Sequence, residues 1–371
     1  MKDTKLYIKG LLAFGLTLLL LASSSCTREA EISGSNEVTV NFSLQLPDDA
    51  VTRALTTAGE NTVQTIDILV FDADKLTYRT YCDGAAISDW NTSAVNKTFT
   101  VKLIQGTDLD MMILVNARSI ISAAGIALNA DKDDVIADLL STPNGKFGLS
   151  SYLPMWGMSE DVDITETTTS LSATPIPVVR MLSRVSIDAS AVATTFELTS
   201  VHVYNYETKG HLVPDLAAAN WNGAKALNPT VPASSNRWGN PALTGTAITP
   251  LIYTGTEITG NKCIGEIYLH ESKNLDAAGD PIGYLDRTCL VIGGIYGSDT
   301  QPTYYRVDFA SLSGAVWTYF DLLRNHSYVV EITTVSDSGL YDPDDAFKSV
   351  TVNMEVNVTD WTDVNMNHEL D

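Results

Sequence analysis

The sequence predicts an all-β protein built as two tandem β-sandwich domains with short helices in their loops. Three observations carry that prediction. Short apolar stretches with two-residue alternation recur along the chain, separated by clusters of Gly, Pro, Asn and Asp. Hydrophobic residues make up 44% of the chain and charged ones only 18%, so the 371 residues can bury a core and do not read as a disordered polymer. Midway, Pro175 and Pro177 interrupt the strand pattern, as a linker or a sheet edge would. The domain boundary is placed there, giving residues 54–177 and 178–371.

The elements follow in chain order. Lys2, Lys5 and Lys9 precede an apolar run over residues 11–22, too short for a bilayer core that needs roughly 20 residues. Ser23, Ser24 and Ser25 then lead to Cys26. This resembles a bacterial lipobox, with Ser23 where leucine is usual. It predicts a lipoprotein signal over residues 1–25 and lipid on Cys26, an anchor without a spanning helix. Residues 38–46 alternate cleanly. Strands are expected at 63–71, 98–104, 109–115 and 164–171, with helical or loop-like stretches at 119–128 and 131–140. In the second half strands are expected at 178–187, 196–206, 264–269, 288–295, 304–309, 328–334 and 349–358, with long loops over 207–262.

The first and last of these strands nearly repeat. Residues 38–41 and 350–353 both read Val-Thr-Val-Asn, and the alternation agrees over nine positions. Val38, Val40, Phe42, Leu44 and Leu46 form one stripe; Val350, Val352, Met354, Val356 and Val358 form the other. Alternate side chains of a strand share a face, so each stripe suits the same five-pocket groove. After the first copy comes a loop-like stretch, 47–54, containing Arg53 and Ala54. Cleavage after Arg53 would detach a propeptide, residues 26–53, with its strand. A strand from another copy could then fill the groove, a route to polymers by strand addition.

Net charge is −22, which argues against nucleic-acid binding and for solubility outside the cell. No catalytic motif stands out, and no cofactor or metal is expected. Gly255 to Lys262 falls short of a phosphate loop because the lysine is one position late and no Ser or Thr follows. Asn129, Asp131 and Asp133 begin a calcium-loop spacing, but Asp134 and Leu140 stand where glycine and glutamate are needed. The stretch 342–345 reads as a solvated turn. Cys82, Cys263 and Cys289 are left once Cys26 is assigned to lipid; a bridge between Cys263 and Cys289 is left open, and buried thiols are expected. Trp221, Trp238 and Tyr253 are candidate sugar-stacking residues, or else core.

Several short motifs are similar in order and spacing to those of one family. They are Ser-Ser-Ser-Cys26, Arg53-Ala54, Ile66-Asp-Ile-Leu-Val-Phe71, Ile113-Leu-Val-Asn116-Ala117, Leu153-Pro-Met-Trp-Gly157, Val179-Arg-Met-Leu-Ser-Arg184-Val185, Leu269-His-Glu271 and Leu323-Arg-Asn-His-Ser-Tyr328. The set resembles the FimA-like fimbrillins, the major fimbrial subunits of Bacteroidales. The resemblance implies two transthyretin-like sandwiches and no enzymatic activity. It implies export as an outer-membrane lipoprotein, with palmitate among the lipids on Cys26, and processing at Arg53 by an arginine-specific protease. It also implies assembly with copies of itself and related subunits into an adhesive, biofilm-forming fimbria, the donor strand being residues 349–361. Partners would include host or bacterial surface receptors. The alternatives are a surface-anchored glycan-binding lipoprotein and a fimbrial tip or accessory adhesin.

Overall fold

The computed structural model describes residues 36–47, 60–142, 146–147, 152–222, 225–241, 249–313, 316–349 and 354–361. In the first half the strands are β1 (Glu37–Gln45), β2 (Thr65–Asp72), β3 (Lys75–Asp83), β4 (Asn96–Ile104), β5 (Gly106–Val115), β6 (Leu140–Ser141), β7 (Met155–Ile164), β8 (Ser170–Pro177) and β9 (Val179–Arg180). Helices α1 (Arg118–Ala124) and α2 (Lys132–Asp138) lie between β5 and β6. A five-stranded sheet, β3-β2-β5-β7-β9, and a three-stranded sheet, β4-β1-β8, share one apolar core. β2 is buried on both faces, which is why its sequence is a nearly unbroken apolar run. Helix α1 ends where Gly125 takes φ of 62°, the left-handed conformation glycine tolerates best.

The second half contains β10 (Ser183–Asp188), β11 (Phe196–Tyr204), β12 (Tyr206–Glu207), β13 (Gly210–His211), β14 (Arg237–Trp238), β15 (Leu251–Thr254), β16 (Lys262–Leu269), β17 (Cys289–Tyr296), β18 (Thr303–Asp308), β19 (Ala310–Ser313), β20 (Val316–Tyr319), β21 (Ser327–Val335) and β22 (Met354–Trp361). Two four-stranded sheets, β16-β10-β21-β22 and β15-β11-β17-β18, enclose a second core from Val185 to Val335. Helix α3 (Pro343–Lys348) covers the outer face of the latter sheet through Phe347, which stacks on Tyr204 with ring centroids 4.8 Å apart. The architecture is all-β, as the alternation predicts.

Three expectations shift. Residues 165–169 form the turn between β7 and β8, so the strand expected at 164–171 is divided between the end of β7 and the start of β8. The strand expected at 178–187 is broken at residues 181–182, its start (β9) joining the first-half sheet and its end (β10) the second-half one, whereas Thr174–Pro177, expected as linker or edge, is the edge, closing β8 where proline costs no ladder bond. The turn expected at 342–345 opens α3 instead. The Asp342 carboxylate accepts from the Asp344 and Asp345 amides, and Pro343 occupies the first helical position.

Candidate functional site: the slot of the first strand

β1 lies between two partners. It pairs antiparallel with β4 over nine residues, from Glu37 opposite Ile104 to Gln45 opposite Asn96. On its other side it runs parallel to β8, with Asn41 opposite Ser170 and Gln45 opposite Pro177. Val40, Phe42, Leu44 and Leu46 are fully buried, and Val38 is half-buried against the same core. Phe42 stacks on Phe99 of β4, centroids 5.4 Å apart and ring planes 12° from parallel. The Leu46 amide donates to the Val95 carbonyl at 2.8 Å, and the Val178 amide donates to the Gln45 carbonyl at 2.9 Å. The apolar stripe read from the sequence thus faces the core along the whole strand. Burying four such side chains stabilises by about 6–12 kcal/mol before ordering costs, an upper estimate.

The chain that re-enters after β1 is fastened elsewhere. Glu60 is buried, and Arg184 Nη1 donates to both of its carboxylate oxygens at 2.9 and 3.0 Å. The Tyr268 hydroxyl donates to Glu60 at 2.6 Å, and Arg180 donates to Asn61 at 2.7 Å. Glu60 and Asn61 are therefore held by Arg180, Arg184 and Tyr268, far along the chain from β1; Arg180 also reaches the Pro47 carbonyl at 3.5 Å. Cys26, Arg53 and Ala54 lie outside the described residues.

The second stripe meets a different environment. Among the described residues β22 pairs antiparallel with β21 alone, at the edge of its sheet, with Val358 opposite Val330, Val356 opposite Ile332 and Met354 opposite Val335. Val350 and Val352 lie outside the described residues.

The remaining motif residues are structural fastenings. Asp67, fully buried in β2, accepts from Arg79 at 3.1 Å and Arg118 at 3.0 Å. The Asn116 side chain accepts from the Gln64 amide at 2.7 Å and donates to the Thr62 and Leu153 carbonyls. Gly157 lies so close to β8 that a Cβ would stand 2.4 Å from the Pro177 carbonyl oxygen. Glu271 and Arg324, both buried, pair at 2.6 Å, and Arg324 also donates to the His211 and Leu212 carbonyls. Sequence reasoning left these residues without roles because their partners are far apart in the chain.

Other candidates are absorbed by the core. Trp221 packs edge-on against Trp156, centroids 5.8 Å apart, and Tyr253 is buried; only Trp238 is half-exposed. Cys263 and Cys289 are free and buried on strands of different sheets, and burial pushes each thiol up to about 12. Cys82 is also buried, but it is disulfide-bonded and not the thiol expected from the sequence. Among the described residues no group of three or more His, Cys, Asp or Glu is arranged to hold a metal, and no helix is long and apolar enough to cross a membrane.

Two sheet pairs, each closed on its own core, with a mid-sheet first strand, define the structural class. Solved structures similar in fold include fimbrial and cell-adhesion proteins of the Bacteroidales. The tip fimbrial protein Mfa3 of Porphyromonas gingivalis matches at TM-score 0.50 and 12% identity, covering 88% of this chain and 100% of that one. A protein assigned to cell adhesion in Parabacteroides distasonis matches at 0.53 and 15%, covering 88% and 98%. The fimbrilin FimA of P. gingivalis matches at 0.50 and 11%, covering 86% and 96%. At these identities the likeness is one of fold, and at that level the resemblance read from the motifs is borne out. No family model matches the chain, and neither does any curated protein sequence.

Proposed function

We propose that this chain is a structural subunit of an adhesive cell-surface fimbria. In this reading it is two domains, expected from the sequence as 54–177 and 178–371 with β9 closing the first sheet and β10 opening the second, exported as a lipoprotein anchored through Cys26. Cleavage after Arg53 lets β1 leave, and the strand carrying Val350, Val352, Met354, Val356 and Val358 of another copy enters. The observation that carries the reading is the position of β1. It is the middle strand of its sheet, its apolar stripe is buried, and its loss would leave two unpaired edges facing each other across an apolar trough. Such a trough is a template for a strand of matching alternation. β22 rests against one neighbour, whereas the slot offers two, so transfer gains a ladder. The contact is between unlike surfaces, so it propagates instead of closing. The Glu60 anchorage supports the order of events, because the cut chain would keep its new N-terminal region in place.

The test is assembly in vitro. Protein cut by an arginine-specific protease should give a ladder of multimers resistant to sodium dodecyl sulfate, and Arg53→Ala protein should stay monomeric. Deletion of residues 349–371 should abolish the ladder; a truncated protein that still forms it sinks the donor role. A terminal position in the fibre is the second reading, favoured by the likeness in fold to a tip fimbrial protein. Labelled antibody would then mark fibre ends only.

A further inference from the structure

The trough beneath β1 is not wholly apolar. Along β4 the inward stripe is Lys97, Phe99, Val101 and Leu103, and Lys97 stands directly opposite Leu44 of β1. Lys97 is fully buried, which is rare for lysine. Its ammonium donates to two backbone carbonyls, Asp89 at 2.5 Å and Thr92 at 3.0 Å. Those carbonyls belong to the turn between β3 and β4, where Asp89 takes φ of 51°. The same connection supplies the Val95 carbonyl that receives the Leu46 amide. It therefore closes the end of the trough at which β1 leaves toward residue 47.

When β1 is removed, this connection loses the bond from Leu46. β8, whose only ladder is with β1, loses that ladder. An apolar trough without its strand tends to collapse, since its walls gain by burying one another. The two bonds from Lys97 do not involve β1 and would survive its departure. The newly uncovered ammonium would also hydrate and oppose closure of the walls over it, because burying a charge in a collapsed core is costly.

We propose that Lys97 keeps the slot receptive between the loss of one strand and the entry of the next, by holding the Asp89–Thr92 turn at its end. This rests on the reading that β1 is removed and replaced. It also separates Lys97 from an ordinary core residue. In the filled state the Asp89 carbonyl also accepts from the Thr92 amide and hydroxyl, each at 3.0 Å, and Thr92 is exposed, so loss of the ammonium strands neither carbonyl in the core. Replacing the buried charge by an apolar side chain of similar length also removes its desolvation cost, so the uncut protein should lose little stability. Lys97→Met should cost refilling and not folding.

The experiment uses exported full-length chain, wild type and Lys97→Met, each cut after Arg53. The N-terminal segment is removed in mild denaturant, and a fluorescent peptide of residues 37–47 is offered as the probe. Wild-type protein should rebind it. Lys97→Met should rebind roughly tenfold more slowly, the effect of about one lost hydrogen-bonding anchor, with a nearly unchanged melting temperature before cutting. Lys97→Gln, which can still donate to the turn, should fall between. Hydrogen exchange in residues 88–95 should quicken in the emptied Lys97→Met protein and not in the uncut one. Lys97→Met rebinding within twofold of wild type overturns the proposal and leaves strand replacement standing. Wild-type protein that does not rebind overturns both.

Discussion

Phe42→Ala tests whether the apolar stripe is what retains the first strand. Phe42 is fully buried and stacked on Phe99, so truncation removes its transfer energy and leaves a cavity, costing about 3–5 kcal/mol. In an intact chain that loss would merge with general destabilisation. In a chain cut after Arg53 the strand is held without a covalent link, and the same loss becomes a change in its binding constant of roughly two to four orders of magnitude. The assay is size-exclusion chromatography of cut protein over a urea series, following release of the N-terminal segment. Thr39→Ala is the control, because Thr39 lies on the same strand and faces solvent. Phe42→Ala should release its segment well below the urea concentration needed by Thr39→Ala. The emptied Phe42→Ala protein, whose walls are unaltered, should bind unmodified peptide 37–47 as wild type does. Equal release from the two variants would refute the reasoning, since it would mean that ladder bonds alone retain the strand.

Three further outcomes follow from buried polar groups. Arg324→Met should lower stability by about 3–5 kcal/mol in urea unfolding, because Glu271 would be left charged and buried; Arg324→Met with Glu271→Leu should recover part of the loss. Burial depresses His202 and His270 to about 4 from 6.5, so the folded state holds fewer protons than the unfolded one in that range. Their contribution is complete above 6.5 and is lost as pH falls toward 4, on the order of a few kcal/mol together; His270→Gln should flatten the decline in a pH series of urea melts. Cys263 and Cys289 should resist a thiol reagent at pH 8 in the native state and react only on unfolding; rapid native labelling of either would contradict their burial.

Alternation made most of the fold legible. β1, β4, β5, β11, β17 and β21 fall within a residue or a few of their expected positions, because each buries one face or both against a sheet and the period of two survives in the sequence. β3 went unread because its inward residues, Leu76, Tyr78, Thr80 and Cys82, mix apolar with polar types. The β7–β8 turn was misplaced because threonine favours strands, yet Thr165, Thr167 and Thr168 here bond one another across a tight turn. Helix α3 had its start signal in plain view, an aspartate cap followed by proline, but at six residues it has almost no periodicity to confirm it. The stripe on β1 was legible as a pattern. That it sits mid-sheet was not, because β8 is recruited from 130 residues away by a parallel pairing that no local signal announces.

The motifs that carried the family resemblance share a physical logic. Arg184 and Tyr268 reach Glu60 in the first half, Arg180 reaches Asn61, and Asn325 supplies its side-chain carbonyl to the Arg180 amide. His211 and Leu140 pair across a two-residue ladder, and Trp156 meets Trp221. Nearly every one of these contacts joins the first half of the chain to the second. A fibre built by strand replacement would hand tension from a slot in one half to a strand leaving the other, so the junction between them bears the same load as the slot. Displacing such a junction would leave buried charges and ladder groups unpaired, which costs more than separating apolar contact of the same area. That need would explain why charged side chains are spent at a junction where apolar packing could have given equal stability at rest.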